Sequence, residues 1–164
     1  MEVLNEIVHI RETLKRSPII LKGLLKSIHS ISYKEVLIPG KWTIHEHVCH
    51  LAEAHEMLNG RMKRFLEEDE PDFKPYFPDK EESSIPLIER NMDEMVTKFL
   101  SLRTEILAES EKLPGNFWSK QAKHPEYYLY TPLIMFRHMM MHDHLHMYRI
   151  EELWLTKSDF LKKK

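Results

Sequence analysis

Four histidines, His138, His142, His144 and His146, fall in the stretch Thr131–Leu155, TPLIMFRHMMMHDHLHMYRIEELWL. Imidazole is the commonest side-chain metal ligand, and neutral imidazole is the form that binds. On a helix, residues four apart project from one side, a turn apart. Either His138 with His142 or His142 with His146 could therefore grip one ion. His138 and His146 would be about 12 Å apart along the axis, too far for a single ion held at ~2.0–2.1 Å. This helix can supply two ligands, and a third must come from elsewhere.

A second window supplies candidates: His45, His47, His50 and His55. At about 100° per residue, His47 and His50 fall on the flank of an apolar stripe that begins at Ile44. His55 sits in the centre of that stripe, and His45 is expected to face solvent. Three histidine ligands would leave coordination positions open, the arrangement of catalytic rather than structural sites. Imidazole suits Zn, Ni, Cu and Fe alike, so ligand type does not choose the metal.

Other chemistries fit less well. His45-Glu46 and His55-Glu56 begin like the H-E-x-x-H zinc-protease pattern, but the fifth positions are Cys49 and Asn59. One Glu-x-x-His motif occurs, Glu6 to His9, where a di-iron bundle requires two. Cys49, the lone cysteine, has nothing beside it that marks an activated thiol and reads as a small buried residue. The methionines at 135, 139, 140, 141 and 147 read as core filling.

The elements that must position these groups are helical. Residues 2–29 keep a helical apolar spacing but contain Ser17-Pro18, which predicts two segments, about 2–15 and 18–29. Thr43 and Glu46 form a capping box that opens a second helix ending near residues 67–70. Residues 71–85 hold three prolines and predict a loop. A third helix is expected from about Pro86 to Leu113, stopped by Pro114-Gly115. The aromatic stretch 116–130 is expected to pack over one end of the domain. Thr131-Pro132 opens the fourth helix, which fades into a frayed tail at Lys162–Lys164.

Four amphipathic helices imply an all-α chain folded as a four-helix bundle, in one domain spanning 1–164. The 71–85 link could reach about 50 Å extended. A parallel crossover between helices two and three is therefore allowed, though length alone does not decide the topology. The net charge of -2 gives no reason to expect nucleic acid or an anionic membrane as partner. No run approaches the ~18 apolar residues of a membrane span. With one cysteine and no secretory pattern, the expected location is the cytoplasm.

Trp42, Thr43, Ile44, Glu46, His50 and Leu51 resemble the W-S-x-x-E-x-x-x-H-L motif of the DinB-like (DinB/YfiT) metalloenzyme family. His142, Asp143, His146 and Ile150 resemble its H-D/E-x-x-H-x-x-Q-I motif. The resemblance covers nearly the whole chain. It implies a metal triad of His50, His142 and His146, with His47 and His138 as neighbours. It also implies a bundle with a long crossover between helices two and three, a divalent metal (zinc or nickel first, iron or manganese next) and a homodimer. Family activities include thiol-dependent S-transfer and metal-dependent hydrolysis or isomerisation. Two positions depart from the pattern. Arg149 replaces the usual Gln and could receive an anionic substrate. His55 stands where many members have an acid, and could serve as a helper base or outer partner.

Two functions follow as expectations. One is a metal-dependent transferase or hydrolase acting on a small molecule, with a low-molecular-weight thiol as one candidate partner. The other is a non-catalytic, stress-related metal-binding bundle. A mouth lined by convergent polar groups would favour the enzyme, and a sealed site the alternative.

Overall fold

Two threonines open the two helices that carry the histidines. Thr43 Oγ1 accepts from the Glu46 amide at 3.2 Å, and the Glu46 carboxylate accepts from the Thr43 amide at 2.8 Å. Thr131 Oγ1 accepts from the Ile134 amide at 3.2 Å, with Pro132 at the first helical position. Each device satisfies amide donors that a helix start leaves without partners. The computed structural model describes residues 2–77 and 85–161, and its long helices are α1 (Glu2–Ser27), α2 (Ile44–Glu67), α3 (Met92–Ser110) and α4 (Pro132–Leu155). Part of the expected 71–85 loop and the Lys162–Lys164 tail lie outside the described residues.

Two boundaries differ from expectation. Helix α3 starts at Met92 rather than near Pro86, because Asn91 Oδ1 accepts from the amides of Asp93 and Glu94 and caps it there. Leu87 is buried, but from a separate 3-10 turn, Leu87–Glu89. Helix α1 is not divided at Pro18 and runs through it. Proline removes the amide that would bond the carbonyl four residues back, here that of Leu14. That oxygen instead accepts from Arg103 Nη1 at 2.7 Å, with Ser17 Oγ 3.1 Å away. A partner from another helix thus supplies the missing donor, a feature no local pattern carries.

The side-chain pairings define the topology. Glu56–Lys98, Asn59–Leu102 and Lys63–Glu105 climb α2 and α3 together, so these helices are parallel and joined by a crossover. Glu6–Arg137 and Ser17–Asp143 make α1 parallel to α4. His50–His142 and His47–His146 make α2 antiparallel to α4. Helices α1 and α2 sit on one diagonal, α3 and α4 on the other.

Alternating spacings of three and four bury Ile7, Ile10, Leu14, Ser17 and Leu21 on α1, and each other helix has its own such stripe. One apolar cluster gathers Leu14, Leu58, Ile106 and Met139, and a second gathers Leu21, Ala52, Phe99 and Met147. Between them lies a buried polar layer with one residue per helix: Ser17, His55, Arg103 and Asp143. The aromatic connection before α4 closes one end of the bundle, as expected. The Phe73 amide bonds the Lys123 carbonyl at 2.9 Å, and Lys120 Nζ caps the end of α2 on the carbonyls of Phe65 and Glu68. No described helix is long and apolar enough to cross a membrane.

Candidate metal centre

The capping box fixes where α2 begins, and so places His47 and His50 one turn in, on the side that faces α4. His142 and His146 answer from α4 in antiparallel register. One ligand atom from each of His50, His142 and His146 lies within 4.8 Å of the other two. His50 and His146 are buried, and His142 is half-buried. Of the pairs that spacing allowed, the structure therefore joins His142/His146 to His50.

The donor set fits a metal ion. His50 Nε2 and His142 Nε2 face each other at 3.0 Å. Two nitrogens held ~2.0–2.1 Å from one tetrahedral ion would stand about 3.3 Å apart. At this distance the two nitrogens either share one N–H as a neutral hydrogen bond or turn both lone pairs to a cation between them. Burial disfavours the charged imidazolium form: it presses His50 down to about 3 and lowers His142 and His146 as well. All three are neutral near pH 7, the ligand form. The Nδ1 atoms of His50 and His142 are buried without a hydrogen-bond partner among the described residues, so neither ring is turned toward a competing contact on that side.

The surroundings orient the rings. His47 Nδ1 bonds His146 Nδ1 at 2.8 Å, which leaves His146 Nε2 free to point inward. Burial, reinforced by the nearby Arg149 cation, holds His47 at about 4. Trp42 packs on His50 and His146 with ring centroids 4.7 and 5.9 Å away. His55 is fully buried and belongs to the polar layer. Its Nδ1 donates to the Leu51 carbonyl at 2.7 Å, which leaves Nε2 to accept from Arg103. Arg149 pairs with Glu152 at 2.6 Å and lines a cavity behind His47.

The other sequence candidates stand apart. His138 packs against Tyr127, ring to ring at 5.2 Å, and His144 is exposed. His45 corrects the expectation of a solvent-facing side chain. It is buried, with Nε2 at 3.0 Å from the Arg90 carbonyl, because the residues ahead of α3 fold across the start of α2. Cys49 is buried, and burial pushes its thiol up to about 11, which suits packing rather than attack.

Sequence reasoning missed Arg103, and had Asp143 only as a motif position without a role. Arg103 donates to Asp143 Oδ2 at 2.7 Å and to Ser17 Oγ at 2.8 Å, and Ser17 Oγ donates to Asp143 Oδ2 at 2.7 Å. Asp143 follows His142 directly, so this network anchors the ligand-bearing turn of α4 from inside the bundle. The available signal was positional. Arg103 continues the stripe of Met95, Phe99 and Ile106, and Asp143 that of Met139, Met147 and Ile150, so each is a charge at a core position.

The family model described as the DinB superfamily matches residues 12–150. Among solved structures, YfiT from Bacillus subtilis matches with a TM-score of 0.79 at 21% sequence identity, over 88% of this chain and 83% of that one. It is described as a probable metal-dependent hydrolase with an unusual four-helix bundle topology. No curated protein matches the chain.

Proposed function

Since the chain belongs to the DinB superfamily and holds three neutral imidazoles within reach of one point, we propose that it is a divalent-metal-dependent enzyme acting on a small molecule. His50, His142 and His146 are the ligands in this reading, with zinc or nickel the leading metals and iron or manganese next. The reaction is hydrolysis, or transfer to a low-molecular-weight thiol. A divalent ion held there supplies a Lewis acid that makes water or a thiol nucleophilic at neutral pH.

The observation that carries the reading is the His50–His142–His146 cluster, with its nitrogens turned toward one another inside the bundle. The chain's own residues have definable tasks. His146 carries its ring proton on Nδ1 and donates it to His47, which keeps Nε2 available. Trp42 shields the buried faces of His50 and His146 from water. Asp143, held by Arg103 and Ser17, fixes the turn from which His142 projects. His142 also borders a cavity on the surface, which supports an accessible site rather than a sealed one.

Metal analysis of untagged protein tests this directly. One divalent ion per chain is expected, with marked loss in His142→Ala; absence of a stoichiometric ion, or full retention in that variant, refutes the reading. A panel of esters, amides and thiol-plus-electrophile pairs then separates hydrolysis from S-transfer. Activity that survives loss of the triad would remove the enzyme assignment.

A further inference from the structure

Two cavities adjoin the histidines. The larger, about 460 Å³, is bounded by Trp42, His47, Arg149 and Glu152 and by none of the three triad residues. It meets His47 but not His146. The smaller, about 180 Å³, reaches His142 itself. A molecule that reacts at the triad is therefore best received in the smaller one.

That slot has a distinctive lining. Ala54, Met57, Leu58 and Met139 make it apolar along α2 and α4. Its walls are rings. Tyr127 and Tyr130 lie nearly parallel with centroids 5.6 Å apart, and His124 is 4.7 Å from the first and 4.9 Å from the second. His138 closes on Tyr127 at 5.2 Å. At the inner end Tyr76 stacks on His50 at 6.2 Å, so the aromatic wall extends to a second member of the triad.

Charge and size narrow the occupant. Among the described residues Arg61 and Glu126 line the slot, one charge of each sign. The Arg61 guanidinium is already committed, donating to the Tyr130 hydroxyl at 3.0 Å and to the Lys74 carbonyl at 2.7 Å. Burial lowers both His124 and His138, so neither adds charge near neutrality. A carboxylate would meet Glu126, and an ammonium would meet Arg61. The volume is close to the roughly 150 Å³ apolar cavity that accepts benzene, and ring walls favour stacked or edge-on aromatic partners.

We propose that this slot is the substrate subsite and takes a neutral, planar aromatic group, with the reacting bond presented at the His142 end. The inference rests on the metal-enzyme reading for the chemistry at that end. Recognition of the ring rests on the slot alone, and the two can be tested apart.

Calorimetry on the zinc-loaded full chain would compare three hydroxamates that share one chelating head: acetohydroxamate, phenylacetohydroxamate and cyclohexylacetohydroxamate. The phenyl arm is expected to tighten binding about tenfold over methyl, and the cyclohexyl arm less. Tyr127→Ala, at a half-exposed ring, should cut the phenyl gain to about threefold or less, and Tyr127→Phe should restore it. If acetohydroxamate binds but the phenyl arm brings no gain, or the gain survives Tyr127→Ala, the subsite is overturned while the metal reading stands. Benzyl alcohol titrated into metal-free protein, followed by NMR, reads the slot without the ion. Saturable binding weakened by Tyr127→Ala supports the subsite even if no zinc is taken up, and absence of binding there overturns it.

Discussion

Arg103 Nη1 lies 2.7 Å from the carbonyl oxygen of Leu14, the acceptor that Pro18 leaves without its helical donor. The same guanidinium pairs with Asp143 at 2.7 Å, and both side chains are buried. Removing one partner of a buried pair leaves the other's charge uncompensated, at about 3–5 kcal/mol. Arg103→Ala should therefore lower unfolding stability by that order in urea titration. Arg103→Lys keeps the charge but not the planar fork and should recover only part of it.

His47 reaches the candidate centre only through the Nδ1 of His146. Loss of such an outer partner typically weakens metal affinity by about 10–100-fold. His47→Ala should show a loss of that size in competition against a chelator of known affinity. Circular dichroism of the same variant should still report a folded helical protein.

Burial keeps several histidines neutral in the fold: His55 and His50 at about 3 and His47 at about 4, against an ordinary 6.5. Below 6.5 the unfolded chain takes up protons that the folded chain refuses. Stability is therefore complete above that value and declines as pH falls toward 4, by up to about 1.4 kcal/mol per unit for each histidine. The urea midpoint of metal-free protein should be lower at pH 5 than at pH 7.5. His55→Gln should make that pH slope shallower.

The start of α2 depends on Thr43, whose hydroxyl and amide both exchange bonds with Glu46. Thr43→Ala should cost about 1 kcal/mol of stability, and Thr43→Ser should retain most of it. Fraying there loosens His47 and His50 together, so the alanine variant should also bind metal less tightly in the chelator assay.

Much of this architecture is legible in the chain because it is written in local chemistry. The Thr43–Glu46 box and Thr131-Pro132 mark the starts of α2 and α4 within a residue, since the side chains that satisfy the first amides lie in the same turn. The four-residue spacing of His142 and His146 is equally local. The choice of His50 as their companion came from family resemblance, because three histidines on α2 were compatible with spacing alone. What could not be read there depends on distant partners. Pro18 resembles a break until Arg103 arrives from α3. His45 looks exposed until the Arg90 carbonyl covers it. The parallel run of α2 and α3, like the choice of His50, came from family resemblance, because loop length permits either direction.

The polar layer also bears on how the bundle assembles. Ser17, His55, Arg103 and Asp143 come from four different helices. No two helices alone can surround the Arg103 charge, since its acceptors lie on α1, α2 and α4. A partly docked bundle must either leave the layer wet or strand a cation in an apolar interior. The four helices should therefore close and open as one unit, so that backbone amides flanking Leu14, His55, Arg103 and Asp143 exchange with deuterium at a common, global rate.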